Sequence, residues 1–267
     1  SQITFMRKKL RFLSQTTNEH CISFSLVCCV LTALFLPFST ALTNIFSIAA
    51  MVLWLVGADL NSEIHRLLKS PFACALLLFL IFVCLSYFWN EGTWTSYRAE
   101  IGNYRRFLFL LILFLLGQNR ESWREGMLFA FFVSTAILTL ICIGIYFGVP
   151  FLPTPRPGQV AIFHKTHIAQ GFLLACHMVI AIRYVIFSRH IELRVVAAIT
   201  AFLAFVVSVF MTYGRTGYLC VGVCLVMASL FFLLEKRKRL ATFFFAIVAI
   251  ALVAGVFSSH VQTRWQN

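Results

Sequence analysis

Acidic side chains are scarce in this chain: 9 Asp and Glu stand against 22 Lys and Arg, and charged residues of both signs make up only 12%. An acid-poor balance can mark a nucleic-acid binder. That class is excluded here, because the basic residues gather at the ends of apolar segments, where chain orientation and anionic lipid headgroups account for them. Alternation of apolar and polar residues over ~10-residue segments is also missing, which excludes a transmembrane β-barrel. The nine cysteines, at positions 21, 28, 29, 74, 84, 142, 176, 220 and 224, form no C-x-x-C pair and nearly all fall within apolar runs. They read as small packing residues rather than disulfides or metal ligands. A Walker-type glycine loop is absent, so nothing points to ATP as an energy source. Neither a cleavable signal nor an internal repeat, heptad array or low-complexity tail is visible.

What the chain has in abundance is hydrophobic sequence, 61% of 267 residues. The apolar residues come in runs of roughly 17 to 22, the length that crosses a ~30 Å hydrocarbon core as a helix. The expectation is an all-α, polytopic membrane bundle forming a single transmembrane domain over 1–267. Nine spans are expected, at about 21–38, 40–58, 72–89, 103–117, 127–148, 167–187, 195–212, 216–234 and 240–257. The fourth is the weakest, since its purely apolar stretch, 107–116, is short unless Tyr104, Arg105 and Arg106 lie in the headgroup zone. With the amino terminus in the cytoplasm, 15 of the 22 basic residues fall on the inner side and 7 on the outer. Deleting the fourth span would send Lys236-Arg237-Lys238-Arg239 outside, against the positive-inside tendency. Asp59, Glu63, Arg66 and Lys69 are expected in a solvated inner loop.

Against that charge rule stands Arg215, in Thr212-Tyr213-Gly214-Arg215-Thr216-Gly217, pinched between two apolar runs on the outer side. Arginine at a helix centre costs ~2.5–3.5 kcal/mol on insertion scales and less near an interface, so its presence asks for a reason. Its planar fork of donors matches phosphate oxygens in pairs, and the flanking glycines allow a sharp turn and a close ligand. The alternative is an arginine that snorkels and anchors the helix end. Arg105, Arg106, Arg156 and Lys165 add further outer cations, which either line a cavity for a polyanion such as a lipid diphosphate or serve as separate interfacial anchors. Pro150, Pro153, Pro155 and Pro157 give the loop containing Arg156 a stiff, extended character. His164 and His167 are three apart at the outer end of the sixth span, a spacing that brings two side chains to one face. They fit a general base, a sugar-hydroxyl contact or simple helix-end polarity. A metal site lacks its third and fourth ligands nearby. His177, inside an apolar run, reads as a hydrogen-bonding residue between helices.

The stretch from Pro71-Phe72 to Leu85-Ser86-Tyr87-Phe88-Trp89, then Tyr104-Arg105-Arg106-Phe107 opening an apolar helix, then Tyr213-Gly214-Arg215-Thr216-Gly217-Tyr218 at an outer junction, resembles the O-antigen ligase family of bacterial inner-membrane proteins. The resemblance covers most of the chain through short, degenerate motifs. It implies transfer of a glycan from an undecaprenyl diphosphate carrier to the lipid A-core oligosaccharide at the periplasmic face, with no metal, cofactor or ATP. Arg215 would be the catalytic arginine on the diphosphate, with Arg105, Arg106, Arg156, Lys165, His164 and His167 as further substrate contacts. The family's large periplasmic loop, with its acceptor-activating histidine and second arginine, would begin at 258–267, so the chain is expected to be part of a longer protein. His260 and Arg264 are not equated with those residues. A polymerase or protein O-oligosaccharyltransferase of the same superfamily shares the junction. A transporter or flippase of an anionic lipid or sugar phosphate would instead need polar groups at mid-membrane and broken helices.

Overall fold

The computed structural model describes residues 2–86, 107–117, 120–153, 163, 167–211, 222 and 226. Helices dominate them: α1 (Gln2–Phe35), α2 (Thr40–Gly57), α3 (Leu60–Lys69), α4 (Pro71–Leu85), α5 (Phe107–Gly117), α6 (Glu121–Tyr146), α7 (His167–Phe187) and α8 (Ile191–Val206), the last running into a π-helical stretch, Val207–Met211. No strand occurs among the described residues. Four helical segments are long and apolar enough to cross a membrane: Asn18–Phe35, Thr40–Gly57, Glu121–Tyr146 and Ala169–Phe187. A fifth is added if α3 and α4 count as one broken span. Their outward faces are apolar: Ile45, Val52, Leu55 and Val56 of α2 are all more than half exposed. A surface of that kind is at home in lipid, where exposed leucine and valine carry no penalty. The structure is therefore all-helical in its described part and built for a membrane.

The chain divides into two compact units, Ser1–Phe131 and Phe132–Asn267. In the first, α1 and α2 form an antiparallel hairpin closed by the turn 36–39. Ser39 caps α2 by accepting the Leu42 N–H through its side-chain oxygen at 3.3 Å, satisfying one of the donors a helix start leaves free. The hairpin is tight at both levels where small residues meet. Ser25 donates its hydroxyl to the Ala50 carbonyl at 2.8 Å, with both residues fully buried. At Gly57 a Cβ would lie 2.9 Å from the Asn18 carbonyl oxygen and 2.9 Å from Cys21 Cβ, so only glycine allows this approach. Leu26, Cys29, Ala50 and Trp54 join Ile112, Leu115 and Leu116 of α5 in one core. Helix α5 runs antiparallel to α4, with Phe79 on Phe107 at 5.3 Å and Phe72 on Phe114 at 5.1 Å between ring centroids.

The segment expected as a solvated inner loop is helix α3. Ile64, Leu67 and Leu68 recur at helical spacing and gather on one side, which is why this short stretch coils. Pro71 sits in the first turn of α4 and Ser70 caps it through Ala73 N–H at 3.4 Å, so the chain turns sharply there, by 99°. The span expected at 21–38 coincides closely with the apolar segment Asn18–Phe35, which lies in a longer helix beginning at Gln2.

In the second unit, α6 ends in a Schellman cap: Val149 N–H bonds the Gly144 carbonyl at 3.0 Å and Gly148 N–H the Ile145 carbonyl at 3.1 Å. Gly148 takes φ of +71°, the left-handed conformation this cap requires. Helices α7 and α8 pack as a second hairpin across 188–190, where Arg194 Nε caps the end of α7 on the Val185 carbonyl at 2.8 Å. Ala181, Ala197 and Ala204 are fully buried, as expected where helix backbones approach closely in lipid. Span expectations at 127–148 and 167–187 coincide closely with α6 and α7. Those at 216–234 and 240–257 lie outside the described residues, apart from helical positions 222 and 226.

Candidate functional site

Arg215, Arg105, Arg106, Arg156, Lys165 and His164 all lie outside the described residues. The first residue of α7 is His167, whose side chain is likewise outside them. What is described is the frame on which several of these residues are carried. In the sequence, Arg215 follows α8 and the described π-helical stretch Val207–Met211. A π-helix interrupts the ordinary hydrogen-bond ladder, is rare, and is found mostly at functional positions. Within it Val207 and Ser208 are fully buried, and the Ser208 hydroxyl has no hydrogen-bond partner.

The path to His164 is anchored at Phe163. Its backbone N–H donates to Gln170 Oε1 at 3.1 Å, and its backbone also interacts with the Cys142 thiol. Gln170 and Cys142 are both fully buried, the first on α7 and the second on α6. The residue preceding His164 is thus fastened between two helices of the second unit by an amide that cannot reach water. Sequence reading did not flag Gln170. Its signal was a lone amide three residues into an apolar run.

Deeper in the same unit lies a seam of buried polar side chains. Ser134, Thr135 and Thr139 on α6 and Gln170 and His177 on α7 are essentially unexposed. His177 Nδ1 and Thr135 Oγ1 are 2.8 Å apart, joining α7 to α6, and the Phe132 ring stacks on the imidazole at 5.1 Å and 11°. Two of the threonines also return hydrogen bonds to their own helix, Thr135 to Phe132 O and Thr139 to Thr135 O. The role expected for His177, bonding between helices, is present at one ring nitrogen. The other, Nε2, makes no well-formed hydrogen bond, although the Thr200 backbone carbonyl is near enough to interact with the ring. A buried imidazole nitrogen without a partner is costly, since nothing replaces the water it gave up.

In the first unit the charged groups of α3 meet those of α6. Glu63 accepts from Arg66 at 2.9 Å through Oε1, while its buried Oε2 has no partner. Burial pushes the Glu63 carboxyl above its ordinary value of 4.5, against the opposing pull of Arg66 and then Arg120. An open cleft of about 650 Å³ lies beside Arg120, lined also by Glu19, Ser23, Glu121, Ser122 and Trp123. It contains none of the residues singled out by the sequence, and its two carboxylates make it a poor seat for a polyanion.

Comparison with protein-family models, with curated proteins and with solved structures finds no match.

Proposed function

We propose that the chain carries the carrier-binding site of an O-antigen ligase-like glycosyltransferase, with nine spans, an inner amino terminus and an active face on the outer side of a bacterial inner membrane. The observation that carries the reading is Arg215, set between Gly214 and Gly217 at the junction of two apolar runs and following a π-helical stretch in the sequence. In this reading the donor is a glycan on undecaprenyl diphosphate and the acceptor is a hydroxyl of the lipid A-core oligosaccharide. The acceptor oxygen forms a bond to the anomeric carbon as the bond to the diphosphate oxygen breaks. Arg215 stabilises the charge that collects on the departing diphosphate, helped by Arg105, Arg106 and Arg156. The acceptor proton passes to a base supplied by the family's periplasmic loop. The resemblance to the family implies transfer without a metal or cofactor, with the arginines neutralising the departing diphosphate.

The test offers purified protein, in lipid nanodiscs, a radiolabelled undecaprenyl diphosphate glycan with one of three acceptors: lipid A-core, a second carrier-linked glycan, or protein. Transfer to lipid A-core is the expected result. Transfer to the second glycan assigns a polymerase, and transfer to protein an oligosaccharyltransferase. Absence of transfer from the intact gene product to every acceptor rejects the enzymatic reading.

A second reading, a transporter of an anionic lipid or sugar phosphate, is favoured by one observation: the buried polar seam from Ser134 to His177, followed by the π-helical break in α8. Polar groups within spans and interrupted helices are what a substrate path requires. Substrate uptake into sealed proteoliposomes, without covalent transfer, distinguishes this reading from the first.

A further inference from the structure

We infer that helix α3 is an interfacial helix that docks on anionic phospholipid headgroups of the membrane the spans cross. Its ten residues present three edges. Leu67 packs against the core of the first unit. Next to that edge, Ile64 and Leu68 are 54% and 63% exposed, far more than a water-facing surface usually asks of two large apolar neighbours on one turn. Beyond them, one step further round the helix, His65 and Lys69 are exposed, with Ser62 on the far side. The order protein, apolar, basic is the profile of a helix lying along a bilayer surface, its apolar edge in the upper acyl region and its cations among the headgroups.

Three further observations identify the occupant as lipid. The exposed apolar edge of α3 leads directly into the exposed apolar face of α4, where Phe72, Leu78, Ile81 and Phe82 are each 46% exposed or more. The 99° turn between α3 and α4 sets one helix across the other, as expected where a spanning helix meets a surface-lying one. Finally, α3 carries Glu63, His65, Arg66 and Lys69 among ten residues, which excludes it from the hydrocarbon and so from serving as the first half of a broken span. The headgroups are anionic by charge complementarity. Lys69, on the edge next to Ile64 and Leu68, is exposed and can reach phosphate. Each basic residue at an anionic surface strengthens association about fivefold.

The test places a nitroxide, carried by an unnatural amino acid so that the native cysteines stay in place, at position 62, 64 or 68 of the full chain in nanodiscs. Collision with oxygen reports hydrocarbon, and collision with a soluble nickel chelate reports water. In equal phosphatidylcholine and phosphatidylglycerol the oxygen-to-nickel ratio should be severalfold higher at 64 and 68 than at 62. That excess should shrink when phosphatidylglycerol is omitted, and also when Lys69→Gln is introduced. Equal, water-like ratios at all three positions overturn the proposal. So do equal, lipid-like ratios, which place α3 inside the membrane, and an excess indifferent to lipid charge, which removes the anionic partner.

Discussion

Within their own units, the α1–α2 pair and the α6–α7 pair are joined by different means. In the first, α1 and α2 meet through close approach of small residues: Gly57 leaves no room for a Cβ beside Asn18 and Cys21, and Ser25 reaches the Ala50 backbone. In the second, α6 and α7 meet through side-chain polarity, with His177 on Thr135 and Gln170 on the Phe163 backbone. Lipid tails are as apolar as leucine, so burying leucine between helices stabilises little; packing and hydrogen bonds have to do the work. In the second unit His177 Nε2 makes no well-formed hydrogen bond, with only the Thr200 carbonyl near the ring, and the buried Ser208 Oγ on the π-helical stretch has no partner.

The contrast is testable in magnitude. Gly57→Val should have the largest effect, because the added carbons meet a backbone carbonyl that cannot rotate aside; a loss of about 3 kcal/mol is expected. Reversible unfolding in mixed micelles measures it, and a loss below about 1 kcal/mol would show that the hairpin can separate cheaply. His177→Leu should change stability by less than about 1 kcal/mol, since the lost bond to Thr135 and the removed orphan nitrogen act in opposite directions. If the same variant abolishes transfer or transport at normal stability, the seam serves function. A large loss of stability would instead make the seam as structural as the hairpin.

Glu63→Gln gives the smallest effect and tests the first unit's charged rim. A carboxyl whose value is raised on folding contributes its stability below the unfolded value, near 4.5, and loses it as pH rises through the folded value. The native chain should therefore weaken slightly on going from mildly acidic to neutral pH, and the glutamine variant should not. A native chain that strengthens over that window would show that Arg66 and Arg120 outweigh burial.

Long apolar runs were readable from the sequence because nothing but a spanning helix satisfies every backbone group in lipid. The run at 40–58 became Thr40–Gly57, and that at 167–187 became His167–Phe187. Helix α3 is masked in the sequence by its four ionisable side chains, and the helical spacing of its leucines and isoleucine is the signal it carries. Facing within spans was hidden for a different reason. Ser134, Thr135 and Thr139 look like neutral interruptions until a partner such as His177 shows which side is inward. The π-helical stretch at 207–211 has no sequence signature at all. For Arg105, Arg106, Arg156, Lys165 and Arg215, the proposed outer position and phosphate contacts rest on the span count and on side-chain type in the sequence.

The most direct test of the central claim is Arg215→Lys in the intact gene product, expressed in a strain lacking the native copy and assayed for lipopolysaccharide ladders. Lysine keeps the charge and loses the paired donors. The account predicts loss of the ladder and accumulation of carrier-linked glycan, with the protein at normal levels in the membrane. A normal ladder from that variant would contradict it.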